Sequence, residues 1–485
     1  CDAFDAAWRA GVRPAIEPFL GDTPEPERTA LLAELLALEV EYRVRAGERP
    51  TPAEYLPRFP GRAELIAAVF RKPVPPAPGG VTLTVTEGPH QGRTFTLSGH
   101  DTFLVGRSKQ AHFQLPARDK YFSRLHFMVE SNPPRCRLTD LGSHNGTYVN
   151  GRRVQTADLR PGDEIRAGHT VLAVTTTAAP DDEGTVTLRP EPATVPADVT
   201  TQVPAAGVLF PALPGYEVVR EVGRGGMGIV YEARRRADGA RVALKTVVPA
   251  EAASPVLVRR FLREARILCQ LDHANIVAFR EMGEGPGLLF FAMDYVEGTD
   301  AAKLLKRHGP LPVRTAVRLV CRVLAALEHA HGKKFVHRDI KPANVLLSEG
   351  GGKKAVKLAD FGLARVYQAS QLSGLTMQGE VGGTLAFMPP EQVTNFREVR
   401  PAADQYSAAA TLYNLLTGRF LYDFREPGPA ALATILTEDP VPIEKRRDDL
   451  PAGLAAAVHR AVARDPADRF PDVAAFRAAL MPFGR

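Results

Sequence analysis

The run His337-Arg338-Asp339-Ile340-Lys341-Pro342-Ala343-Asn344 holds a carboxylate, an ammonium and a carboxamide in close order. Asp339 can take a proton, Lys341 can hold a phosphate oxygen and Asn344 can ligate a hard cation, which covers most of a phosphoryl-transfer site. The same run also suits a charged surface turn: Pro312 to His331 reads helical and Gly332 suits a C-terminal stop. Further along, Lys357-Leu358-Ala359-Asp360-Phe361-Gly362 adds an anionic oxygen ligand in Asp360. Asn344 and Asp360 then form a pair of hard-cation ligands beside a candidate base.

Such residues need elements to hold them. Upstream, Gly223-Arg224-Gly225-Gly226-Met227-Gly228 places glycines where backbone amides can approach a polyphosphate. Taken alone, that spacing fits a Rossmann turn or a flexible hairpin as well. Ile229 to Ala233 continues as a strand instead of opening a helix, and Val242-Ala243-Leu244-Lys245 supplies a second strand ending in lysine, which disfavours a dinucleotide fold. A helix expected over Val258 to Gln270 turns Leu262, Ala265 and Leu268 to its apolar face and leaves Glu264 available to meet Lys245. An ammonium so held is oriented toward the α- and β-phosphates of ATP.

With these pieces in this order, residues 216 to about 480 resemble a protein kinase. The resemblance implies an α+β bilobal fold over 216–485, with an N-lobe 216–297 and a C-lobe 298–485. It implies ATP and Mg²⁺ as cofactors, with Mn²⁺ as an alternative metal. Around the nucleotide it places Gly223, Arg224, Gly225, Gly226, Gly228, Val230, Ala243, Lys245, Asp294, Val296 and Leu346, with Met293 as gatekeeper and Asp294 to Val296 as hinge. It makes Asp339 the residue that orients or deprotonates the acceptor hydroxyl, with Lys341, Lys245 and Glu264 as further catalytic groups and Asn344 and Asp360 as metal ligands. Met388-Pro389-Pro390-Glu391 closes the activation segment, Glu391 is expected to pair with Arg469, and Asp404 to support the catalytic loop from below. Lys341 and Gly383-Thr384 match bacterial Hanks-type serine/threonine kinases, so the implied substrates are protein Ser and Thr hydroxyls. Arg338 is expected to answer autophosphorylation at Ser370, Ser373 or Thr376, carried out in trans within a transient homodimer.

Ahead of this domain the hydrophobic period changes. Val81, Leu83 and Val85 alternate with threonines, and short strands follow to Val171–Val174, ending at turns such as Asn150-Gly151 and Pro161-Gly162-Asp163. An all-β sandwich over 81–177 is the reading. Its loops carry Gly106-Arg107-Ser108, Ser123-Arg124-Leu125-His126 and Asn145-Gly146-Thr147, a guanidinium fork with neutral donors that suits a doubly charged phosphate. The segment resembles a forkhead-associated (FHA) domain, which binds phosphothreonine peptides. By that resemblance Arg107 and Ser123 contact phosphate, Asn145 the peptide backbone, Arg124 also joins the phosphopeptide site, and Gly106 and His126 shape the loops. Phosphothreonine-containing proteins are thus implied partners.

The remaining segments are simpler. Residues 1–72 read as a small all-α region, with Thr23-Pro24 and Thr51-Pro52 as helix starts and a Leu31, Leu32, Leu35, Leu36, Leu38, Tyr42 stripe. Residues 73–80 form a Pro-rich linker, and 178–215 a disordered Thr/Pro linker whose Thr200 and Thr201 are candidate phosphosites for the chain's own sandwich. The 485 residues suit roughly three domains. A dispersed net charge of +6 does not argue for nucleic acid. Four well-separated cysteines without a CxxC pair argue against a zinc site or disulfide framework, and no apolar run is long enough for a membrane span, so a cytoplasmic setting is expected. The chain opens on Cys1 rather than Met, which leaves room for residues upstream. Two rivals stand beside the enzyme reading: a pseudokinase scaffold working through its sandwich, and an interaction module in the N-terminal helices with the kinase as output.

Overall fold

The structure is a computed structural model that describes residues 4, 7–8, 12–21, 24–25, 27–45, 48, 50–71, 81–97, 101–115, 119, 121–132, 135–176, 210–211, 213–225, 228–247, 266–285, 288–348, 355–361, 385–394, 399–424 and 430–485. The N-terminal region is helical: α1 (Glu17–Leu20), α2 (Glu27–Arg45), α3 (Pro52–Tyr55) and α4 (Ala63–Arg71). Leu32, Leu35 and Leu36 of the expected stripe turn inward with Val40, Tyr55, Phe59 and Ile66 to make a core of their own, and Leu31 and Leu38 pack partly buried against it. Thr51 starts α3 as expected, its backbone N–H donating to Glu54 Oε1 at 2.7 Å, with Pro52 in the first turn.

The all-β segment is a sandwich of two sheets. Its strands are β1 (Val81–Glu87), β2 (Thr94–Leu97), β3 (Asp101–Gly106), β4 (Phe113–Gln114), β5 (Phe127–Asn132), β6 (Arg135–Asp140), β7 (Thr147–Val149), β8 (Arg152–Val154), β9 (Thr156–Leu159), β10 (Glu164–Ala167) and β11 (Thr170–Thr176). One sheet runs β2-β1-β11-β10-β7-β8 and the other β4-β3-β5-β6-β9. Leu83, Val85, Leu172 and Val174 of the first face Val105, Phe127, Val129 and Leu138 of the second across the interior. The Asn150-Gly151 turn takes φ 50° and 77°, the left-handed pair that a tight hairpin between β7 and β8 requires.

The two-lobed segment begins with an antiparallel sheet of β12 (Tyr216–Gly225), β13 (Gly228–Arg235), β14 (Arg241–Val247), β15 (Phe279–Gly285) and β16 (Leu288–Asp294), in the order β12-β13-β14-β16-β15. Leu213, on the linker side of the boundary expected at Tyr216, is 4% exposed and packs into this lobe's core with Tyr216, Tyr231 and Phe290. The helix expected over Val258 to Gln270 is described only at Arg266–Gln270, and there it is a 3₁₀ turn. In the second lobe lie α5 (Ala301–His308), α6 (Val313–Gly332), α7 (Pro390–Thr394), α8 (Pro401–Thr417), α9 (Ala430–Thr437), α10 (Ala452–Ala461) and α11 (Val473–Leu480). A three-stranded sheet of β17 (Gly298–Asp300), β18 (Val345–Ser348) and β19 (Ala355–Leu358) lies against them. Helix α8 is buried from Ala403 to Thr417, with Pro401 in its first turn and Gly418 stopping it at φ 69°. An all-round buried helix makes a rigid post, and the catalytic candidates hang on it.

Candidate functional site

The loop from His337 to Asn344 leaves α6 and enters β18, and α8 fixes it from beneath. Asp404 is fully buried. Its carboxylate accepts the backbone N–H of His337 at 2.8 Å, that of Arg338 at 2.8 Å and the ring Nε2–H of His331 at 2.8 Å. A buried carboxylate is tolerable only when so satisfied. These bonds hold Arg338 at φ 70°, an unusual backbone for a side chain of that size. Gln392 of α7 closes the turn from the other side, its amide donating to the Arg338 carbonyl at 2.9 Å.

That frame aims Asp339. Asn344 Nδ2 donates to the Asp339 carbonyl at 2.7 Å and to its Oδ2 at 3.1 Å, while Lys341 Nζ lies 3.1 Å from the same oxygen. Because the Asn344 amide spends its N–H groups on Asp339, its Oδ1 is left for a hard cation. Asp360, at φ 60°, follows β19, and Phe361 beside it packs its ring 4.5 Å from that of His337. His337 in turn bonds the Ala359 carbonyl through Nε2 at 2.9 Å. The catalytic run and the Asp360 run are thereby locked together.

Lys245 projects from β14 into the space between the lobes, 5% exposed, and its ammonium lies 2.9 Å from Asp360 Oδ2. Burial pushes the Asp360 carboxyl up, but the Lys245 ammonium, with Lys341 and His337, offsets this and holds it below the ordinary range. The carboxylate is therefore ionised, the state a metal-ligating role would require. Glu264, expected to hold Lys245, lies outside the described residues, as does Gly226. In the glycine-rich turn Gly225 pairs with Gly228 across the β12–β13 hairpin. Gly228 has φ 129°, and a Cβ on it would sit 1.8 Å from the Thr246 carbonyl oxygen, so only glycine lets the hairpin lie this close to β14. Arg224 turns its guanidinium to Glu221 at 2.9 Å.

Val230, Ala243 and Leu346 are half-buried on the facing strands, and Met293 pairs with Ala243 in register. Asp294 gives its side chain to Arg280 at 2.5 Å and 2.9 Å, which leaves main-chain groups of Asp294 to Val296 for the expected hinge contacts. Behind the site, Arg469 meets Glu391 in a fork at 2.6 Å and 2.8 Å, as expected. A groove of about 890 Å³ opens beside Lys341, floored by Leu305, Phe387 and Phe420 and edged by Lys306 and Arg419. The sequence alone did not point to this groove, because its walls come from segments far apart in the chain. Ser370, Ser373, Thr376, Thr200 and Thr201 lie outside the described residues.

At the edge of the sandwich the three candidate loops converge. Gly106 lets them, since a Cβ there would lie 2.2 Å from the Arg124 carbonyl oxygen. Arg107 N–H donates to Ser123 O at 3.2 Å and Ser108 N–H to Arg124 O at 2.9 Å. Ser123 Oγ accepts from His144 N–H at 3.1 Å, and Asn145 Nδ2 donates to Tyr121 O at 2.7 Å. His126, fully buried, accepts from Ser123 N–H through Nδ1 at 3.0 Å and meets Gly146 O through Nε2 at 3.2 Å. Burial lowers its pKa, so it stays neutral and ties two loops. Arg107 Nε is buried and, among the described residues, without a hydrogen-bond partner, a donor waiting for an acceptor.

The protein kinase domain family model matches residues 216–469, more than half of the chain, and the FHA domain model matches 103–168. The serine/threonine-protein kinase pkn3 of Myxococcus xanthus is 36% identical over 271 residues, covering 55% of this chain and 49% of that one. PknJ of Mycobacterium tuberculosis, also a serine/threonine-protein kinase, is 39% identical over 277 residues, covering 56% and 45%. The chain spans about half the length of the curated relatives it matches. Among solved structures, the Mycobacterium tuberculosis PknI kinase domain is similar at 34% identity and a TM-score of 0.45, covering 57% of this chain and 99% of that one.

Proposed function

Because this chain belongs to the protein kinase family and carries an FHA domain ahead of its kinase domain, we propose that it transfers the γ-phosphoryl group of ATP to serine and threonine hydroxyls of proteins. The observation that carries this reading is the aim of Asp339, whose Oδ2 is held by Asn344 at 3.1 Å and Lys341 at 3.1 Å over the buried Asp404. A carboxylate fixed in this way orients an acceptor hydroxyl and takes its proton as the oxygen attacks. Lys341 balances charge on the phosphoryl group in flight, and Lys245 holds the phosphates left behind. Magnesium, or manganese in its place, supplies charge neutralisation between phosphates when bound; Asn344 Oδ1 and the ionised Asp360 carboxylate are the groups that would hold it. The groove beside Lys341 is the place for the substrate chain.

The intact Lys245, Asp339, Asn344 and Asp360 set disfavours a pseudokinase scaffold. The sandwich is assigned phosphothreonine peptides, for which the orphan Nε of Arg107 and the neighbouring Ser123 hydroxyl form the receptor. It recruits substrates or regulates the kinase, and the cytoplasm, where ATP is plentiful and Cys136, Cys269 and Cys321 stay free thiols, is the proposed setting. Asp339→Asn keeps the shape and removes the base, so ³²P transfer from labelled ATP falls by about 10² to 10⁴. Turnover at the wild-type rate in that variant would sink the assignment.

A further inference from the structure

The sandwich meets the second lobe through side chains that strand alternation would otherwise turn to water. Along β3, Val105 enters the sandwich interior, so Leu104 points out of the opposite face. Along β5, Phe127 and Val129 go in and Met128 goes out, directly opposite Leu104 in register. Both outward side chains are nonetheless buried, Leu104 at 0% and Met128 at 1% exposed. What covers them is the kinase: β3 packs on α7, and the two side chains join Ala111, Leu125 and Leu141 in a cluster continuous with the second lobe's core. At the rim Gly142, at φ 75°, comes so close to the start of α9 that a Cβ on it would lie 2.9 Å from Cβ of Ala430.

Each candidate phosphopeptide loop supplies one of these contacts. Ala111 follows Arg107-Ser108, Leu125 follows Ser123-Arg124, and Leu141 opens the turn that carries Asn145. The loops therefore have a polar side that is free to receive a ligand and an apolar side seated on the kinase. We propose that phosphothreonine capture by the sandwich is coupled to its docking on α7 and α9 of the same chain: docking holds the three loops in their binding arrangement, and a bound phosphothreonine tightens docking. The inference rests on the phosphopeptide reading of the sandwich. Its physical basis is that loops ordered beforehand spend less conformational entropy when a ligand arrives. By linkage, the ligand must then favour the docked state by the same factor. Helix α7 also carries Glu391, which Arg469 clamps, and Gln392, which bonds the Arg338 carbonyl at 2.9 Å. An occupied sandwich thus steadies the helix on which the Asp339 loop leans.

The test uses the full chain and a fluorescent peptide pool with a fixed phosphothreonine and random flanks, the unphosphorylated pool serving as control. Binding is read by anisotropy, and docking by hydrogen exchange of 390–394 and 430–437. The pool is expected to slow exchange in both segments of the wild type. Leu104→Asp with Met128→Asp is expected to speed exchange there and to weaken pool binding about fivefold or more. Ala430→Arg, which alters no sandwich residue, is expected to do the same from the kinase side, and it alone decides if the double variant unfolds β1 and β11. Pool affinity within about twofold of wild type in the deciding variant, or exchange in α7 and α9 that ignores the pool, overturns the coupling. Arg107→Ala separates the two readings: if it binds the pool as wild type does, the phosphopeptide assignment falls and the coupling with it.

Discussion

Replacing Asp404 by asparagine changes almost no volume and tests whether α8 supports the catalytic loop. In the native arrangement one oxygen accepts from His337 N–H and His331 Nε2–H and the other from Arg338 N–H, all at 2.8 Å. An amide has one oxygen and one NH₂ group. In its cheapest orientation the oxygen keeps His337 and His331, and the NH₂ faces the Arg338 N–H, donor against donor. One charge-assisted bond is lost and a buried N–H is orphaned, a cost of about 2–4 kcal/mol. For a domain of this size that lowers Tm by about 4–12 °C. The loss falls on a backbone already held at φ 70°, so the turn at Arg338 relaxes and Asp339 shifts. A displacement near 1 Å at such a group costs about 10²-fold in rate. Radiolabelled phosphoryl transfer should show the fall in kcat, with KM for ATP nearly unchanged because Lys245 and Asp360 are untouched. Differential scanning fluorimetry should show the drop in Tm. A variant with wild-type kcat, melting within about 1 °C of the parent, would refute the reasoning.

Other perturbations probe the remaining supports. Lys245→Met strips Asp360 of the nearest of the charges that offset its burial, so its folded pKa rises above the unfolded value. A carboxyl raised in this way weakens the fold where it is ionised and costs nothing once protonated, whereas the wild-type group, depressed, stays ionised through pH 5–7. The Tm gap between variant and wild type should shrink from pH 7 to pH 5; a constant gap counts against the pairing. Arg469→Ala leaves Glu391 without its partner, and since that carboxylate is 26% exposed, a loss of about 3 kcal/mol is expected in urea unfolding, at the low end for a broken buried pair. Gly228→Ala forces a Cβ onto the Thr246 carbonyl, so kcat/KM for ATP should fall at least about tenfold while pool binding by the sandwich holds. Equal losses in both assays would place the damage elsewhere.

Much of this protein is legible in its amino-acid order because local chemistry and local period are short-range properties. Period-two alternation located the sandwich, a leucine stripe the N-terminal helices, and the succession of glycines, Lys245, Asp339, Asn344 and Asp360 the candidate phosphoryl-transfer site. The pairing of Glu391 with Arg469 was also expected, from resemblance to kinases. Other features depend on which distant surfaces close over one another. Nothing local says that Asp404 collects three donors from residues 66 to 73 positions away. Alternation places Leu104 and Met128 on the outer face of their sheet, but only the assembled chain shows them dry against α7. Residue type and spacing determine which groups are present and which way a strand or helix turns them. Burial, set by contacts between segments far apart in the chain, decides which charge is desolvated and which donor reaches it.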